Sequence, residues 1–112
     1  DSYLKFATGK EGVSKNLLSM FESMPMSKPI VIFVRKGDAF SSGLGMTTAY
    51  LAAPHAVRLC EIDGSHPDNE LSRINPEKVA AVVLCRLARP AWLPAGKVFG
   101  SGLEIVSIAE KG

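Results

Sequence analysis

"PIVIFVRKGDAFSSGLGMTTAYLAAPHAVRLCEID", residues 29–63, decides how this chain folds. It opens on "PIVIFVR" (29–35), apolar at every position from Ile30 to Val34 and rich in β-branched residues. A strand with both faces covered reads that way, whereas a half-exposed strand alternates. "KGDAFSS" follows as a loop. Residues 42–53 then keep helix-permitting company, with Leu44, Ala49, Leu51 and Ala52, until Pro54 forbids another turn. "AVRLCEI" (56–62) is a second strand. Strand, helix and strand in 35 residues make a crossover unit with two parallel strands side by side.

The flanks extend that unit. Val13, Leu17, Phe21 and Met24 recur at helical spacing, widened by Leu18 and Met20, which predicts a helix over 9–24. Thr8 and Glu11 have the spacing of a capping box at its start. "MPMSKP" (24–29) ends it, because Pro25 and Pro29 cannot continue a helix. After Asp63 comes the polar stretch "DGSHPDNELSRINPE", with room for one short helix around 68–73. "KVAAVVLCRL" (78–87) is a third buried strand. "ARPAWLPAGK" is a Pro-rich connection, and "KVFGSGLEIVSIA" holds one or two last strands, split at Gly100 and Gly102. Together these predict one α/β domain over residues 1–112. It is a small three-layer, Rossmann-like unit whose mainly parallel sheet has four to five strands, with helices on its faces. The last strand can close an edge antiparallel.

Composition bounds function. A hydrophobic fraction of 46% in 112 residues marks a globular chain with a single core. Thirteen basic and eleven acidic residues leave +2, too even a balance to favour nucleic acid or an anionic membrane. Aromatics at 7% weaken a base-stacking surface as well. No apolar run approaches the roughly 20 residues that span a bilayer. "DSYLKF" has neither the basic start nor the apolar middle of a signal peptide. The chain reads as a soluble protein or a soluble piece of a larger one.

The middle of the opening stretch also carries the chain's best case for a ligand. Gly43 and Gly45 stand between a strand and a helix, and Asp63 ends the next strand. A dinucleotide fingerprint has these parts, with pyrophosphate at a helix N-terminus and an acid on the ribose. The third glycine would fall at Thr48, however, and "KGDAFSS" separates the first from its strand. No Lys-Ser/Thr pair follows the glycines, so this is not a P-loop. The plainer reading has Ser41 or Ser42 capping the helix and the glycines easing a tight loop. As a phosphate site, the candidate residues are Ser41, Ser42, Gly43, Gly45, Asp63 and His66.

Other constellations are weaker. "EIDGSHPDNE" gathers Glu61, Asp63, His66, Asp68 and Glu70, but the EF-hand pattern fails after Gly64, and a solvated acidic loop explains it. Ser41, Ser42, His55, His66 and Asp38 include the types a triad needs, without a nucleophile elbow. No catalytic residue, metal or cofactor is assigned from them. Cys60 and Cys85 sit in apolar runs as small hydrophobes, and they could pair only if their strands were neighbours. Trp92, between prolines, is expected to pack over the core edge; the other reading puts it at a membrane interface beside Arg89 and Lys97.

Four segments carry a resemblance. They are "KPIVIFVRKGD", "TTAYLAAPHAVRL", "NPEKVAAVVL" and "PAWLPAGKVFGSGLEIVSI". In this order they resemble the soluble domain that follows the membrane spans of multi-spanning, glycosyltransferase-like proteins using polyprenyl-phosphate sugars. The Arg-rich helix face preceding "YL" in those proteins reads "GMTTAYL" here. The resemblance implies that catalytic acids lie on loops between membrane helices, outside the matching region. It implies a domain facing the side opposite the cytoplasm, whose partner is the membrane-embedded part of the same polypeptide and whose role is docking or support. The alternative is a stand-alone α/β domain, cytoplasmic in that case, binding a nucleotide or other phosphate ligand at residues 41–45.

Overall fold

The computed structural model describes residues 11–65 and 71–108. Helix α1 (Glu11–Glu22) leads into strand β1 (Ile30–Arg35), helix α2 (Ala39–Ala52) and strand β2 (Val57–Ile62). A single 3₁₀ turn (Pro76–Lys78) precedes β3 (Ala81–Cys85). The chain closes with β4 (Lys97–Phe99), a second 3₁₀ turn (Gly100–Gly102) and β5 (Leu103–Ser107). The five strands form one mixed sheet in the order β2-β1-β3-β5-β4. β1 is parallel to both β2 and β3, whereas β5 runs antiparallel to β3 and to β4. The expected α/β class and a parallel core are present, but the sheet is mixed rather than mainly parallel, and the last strand, β5, lies inside it with β4 at the edge.

Alternation along β1 sorts the core into two clusters. Ile30, Ile32 and Val34 face α1 and α2, where Leu17, Phe21 and Leu44 meet them. Val31 and Phe33 face the other way, toward Leu71, Val79 and Leu93. Each of these side chains is nearly or wholly buried, and each stabilises the fold by about 1.5–3 kcal/mol through burial. The chain moves from β1 to β2 in one direction across the sheet and from β2 to β3 in the other. Crossovers of one hand must therefore fall on opposite faces. α2 covers one face, and residues 71–79 lie on the other.

The layer on the second face lies partly outside the described residues. Helices α1 and α2 pack on the same face, and on the opposite face the helical residue Leu71 and then Val79 and Leu93 lie against the sheet. Thr8 lies outside the described residues, and the short helix expected at 68–73 falls partly outside them. Trp92 also departs from expectation: it is 47% exposed, and its neighbour Leu93 enters the core instead. The loop is pinned without the indole. Gly96 N–H donates to Glu104 Oε2 at 3.0 Å, and Glu104 pairs with Arg89 at 3.4 Å. A Cβ at Gly96 would lie 2.4 Å from the Ile105 carbonyl oxygen, so only glycine lets the loop approach β5 this closely.

Cys60 and Cys85 are both free thiols. Their strands lie on either side of β1, in register with Phe33 and Val34. Two strand spacings make roughly 10 Å, too far for a disulfide.

Candidate functional site at the strand carboxyl ends

In open α/β sheets a ligand crevice forms at the carboxyl ends, where neighbouring strands send their connections to opposite sides. Here that point lies between β1, which leads to β2, and β3, whose chain continues to the other side of the sheet. The side chains found there are Asp38, Phe40, Ser41 and Arg86.

Helix α2 starts three residues earlier than the sequence suggested. Gly37 turns the chain in the left-handed region (φ 79°), and Asp38 is the N-cap. Its Oδ1 accepts from Ser41 N–H at 3.0 Å. The expectation that Ser41 or Ser42 caps the helix is therefore corrected: both lie in its first turn. Asp has the stronger capping geometry here because its carboxylate also meets Arg86 Nε at 3.2 Å. The Ser41 backbone hydrogen bond, ahead of the Arg86 contributions, holds the Asp38 carboxyl below the ordinary carboxylate range. Arg86 adopts a left-handed backbone (φ 59°), donates its N–H to Gly102 at 2.8 Å and lays its guanidinium 5.1 Å from the Phe40 ring centre.

Ser41 is wholly buried. Its Oγ accepts from Arg35 N–H at 2.7 Å and donates to the Cys85 carbonyl at 2.7 Å. One hydroxyl thus joins the last residue of β1 to the last residue of β3, where the strands begin to part. The helix N-terminus already holds its own carboxylate, and the hydroxyl beneath it bridges two strands.

The glycines lie within α2, not in a loop before it, which corrects the tight-loop reading. Gly43 and Gly45 are buried. A Cβ on Gly45 would lie 2.3 Å from Val34 Cγ1 and 3.2 Å from Leu59 Cδ1. Gly45 supplies the close helix–strand contact for which the fingerprint places a glycine at Thr48. Thr48 is buried instead, its hydroxyl donating to Leu44 O at 2.7 Å. Ser42 is half-buried, and its N–H donates to Asp38 O at 3.0 Å in the first helical turn. Asp63 is exposed after β2, accepting from Ser65 N–H at 2.9 Å. The Arg35 guanidinium lies over Gly64 nearby. His66, Asp68 and Glu70 are outside the described residues. Among the described residues, no three His, Cys, Asp or Glu side chains are placed to hold a metal ion.

The remaining reactive types are structural in their contacts. His55 is buried, with Nδ1 3.0 Å from Ala52 O and Nε2 3.2 Å from Met24 O, tying the end of α2 to the chain after α1. Burial pushes the Cys85 thiol up to about 12. Sequence reasoning missed Arg86 and Asp38 as a pair. The signal was faint: an Asp three residues before a Ser, after Gly37, is an N-cap pattern, but nothing local links it to a residue 48 positions later.

Among the described strands, β2 and β4 are the edges of the sheet, and β2 is the longer. The N–H groups of Ile30 and Lys36 bond to the carbonyls of Ala56 and Ile62, so the even positions of β2 face β1. The N–H and C=O groups of Val57, Leu59 and Glu61 therefore point outward. Leu59 is 48% exposed and touches α2 at Gly45. On α2, Met46 and Tyr50 stand one turn apart and are 66% and 76% exposed. No described helix is long and apolar enough to cross a membrane. Comparison with protein-family models, curated proteins and solved structures finds no match to this chain.

Proposed function

We propose that this is a non-catalytic docking domain of a glycosyltransferase-like membrane polypeptide, laid against that polypeptide's membrane-embedded part through the α2–β2 edge. The observation carrying this reading is the exposed flank of Met46, Tyr50 and Leu59 beside the outer backbone of β2, which pairs with no further strand among the described residues. Apolar side chains next to a free strand edge are a surface that gains by being covered. The side chains best suited to chemistry support it from the other direction, since Ser41, His55 and Cys85 are buried in structural contacts. The Rossmann-like reading belongs with this proposal: it rests on the parallel β2-β1-β3 core and its oppositely placed crossovers. The complete reading frame around residue 1 tests the reading. Several apolar spans of roughly 20 residues preceding it are expected. A frame with no such span refutes the membrane partner.

A further inference from the structure

The face of the sheet opposite α1 and α2 carries a cleft of about 370 Å³, distinct from both the strand carboxyl ends and the α2–β2 edge. Among the described residues of the β2–β3 crossover, Leu71 and Val79 anchor on this face and Pro76–Lys78 form a 3₁₀ turn between them. Cys60 and Ile74 give it partly exposed apolar walls, above the buried Val31, Phe33 and Val79. Around them stand Arg58 of β2, Arg73 and Lys78, three cations lining one concavity. Neither Arg58 nor Lys78 forms an ion pair among the described residues. Glu61, the acid described on β2, projects to the opposite face from Arg58, because it is three residues away on a strand.

A cleft lined by both cations and partly exposed apolar side chains suits an occupant that is anionic at one end and apolar at the other. The volume lies in the range of small-ligand sites. The Arg58 guanidinium and the Lys78 ammonium, with the positive charge of Arg73 beside them, suit the several oxygens and double charge of a phosphate better than the single charge of a carboxylate. We propose that this cleft binds a phosphomonoester carried on a compact apolar or aromatic body. The phosphate lies against Arg58 and Lys78, and the body rests against Cys60 and Ile74.

The probe is phenyl phosphate, titrated calorimetrically into the whole chain, with inorganic phosphate as the comparison. Phenyl phosphate is expected to bind more tightly than inorganic phosphate. The double variant R58E/K78E should weaken it by about a hundredfold, on the order of tenfold per charge-assisted contact. K15E/K97E makes the same charge change on elements of the opposite face and should leave binding unaltered. Vesicles containing phosphatidate distinguish the source of the phosphate. Binding of phenyl phosphate places the ligand in solution, and binding of vesicles alone, lost in R58E/K78E, places the phosphate on a bilayer. A second measurement needs no variant. Cys60 lines the cleft, so phenyl phosphate should slow its alkylation by iodoacetamide in the unaltered protein. No binding of either probe, equal loss in both double variants, equal affinity for inorganic phosphate, or an unchanged Cys60 rate under saturating phenyl phosphate overturns the proposal.

Discussion

Replacing Ser41 with alanine separates a structural hydroxyl from a ligand-binding one. In the folded chain this hydroxyl satisfies Arg35 N–H and the Cys85 carbonyl, each at 2.7 Å, within a wholly buried environment. Alanine fits the space and removes both partners. An unsatisfied buried donor or acceptor costs about 1–3 kcal/mol, so two such groups give about 2–4 kcal/mol once the strand ends relax. Against a typical total of about 5–15 kcal/mol this is a large fraction of stability. It corresponds to a fall in Tm of roughly 10–20 °C for a domain of this size. Urea denaturation followed by circular dichroism measures it, with the midpoint falling and the slope retained. Ser41→Thr, which keeps the hydroxyl, should recover part of the loss, limited by the room for its methyl group. A Ser41→Ala variant within about 0.5 kcal/mol of the parent would refute the bridging role, since that is the range of inconsequential surface changes.

Three further outcomes follow from the same contacts. Asp38 titrates below its unfolded value, so the stability it contributes is present above the unfolded pKa and is lost as pH falls through the folded one. Acid titrations of stability should therefore be shallower in Asp38→Asn than in the parent, and identical slopes would contradict the capping interaction. Gly45→Ala improves helix propensity by about 1 kcal/mol, but its Cβ would meet Val34 Cγ1 at 2.3 Å. The close contact should win, with a net destabilisation of about 1–3 kcal/mol in thermal melts; a stabilised variant would contradict it. A thiol reagent should modify one cysteine in the native state, the partly exposed Cys60, and two in denaturant, because Cys85 is buried with its thiol held protonated. Two rapidly reacting native thiols would contradict the position of β3.

The sheet was legible because its strands are apolar at nearly every position. "IVIFV" and "AVVLC" announce burial on both faces without any knowledge of their neighbours. The turn at Gly37 and the break at Pro54 were legible for the same local reason. The start of α2 was not, since "AFSSGLG" contains five weak helix formers and two of them are glycines. Only the tertiary need for Gly45 to pass under Val34 explains a helix there. Trp92 misled because a large ring between prolines suggests an anchor, whereas the turn geometry delivers Leu93 inward. The cleft was invisible for a different reason. Arg58, Arg73 and Lys78 are scattered surface cations in sequence, and they converge only because residues 71–79 return over β1 and β2.

Amide hydrogen exchange tests the docking reading most directly, comparing residues 1–112 alone with the same residues inside their complete polypeptide. The expected result is added protection at the outward N–H groups of Val57, Leu59 and Glu61, with slowed exchange around Met46 and Tyr50 and no change along β3. Equal exchange at those positions in both forms would contradict the α2–β2 edge as the docking surface.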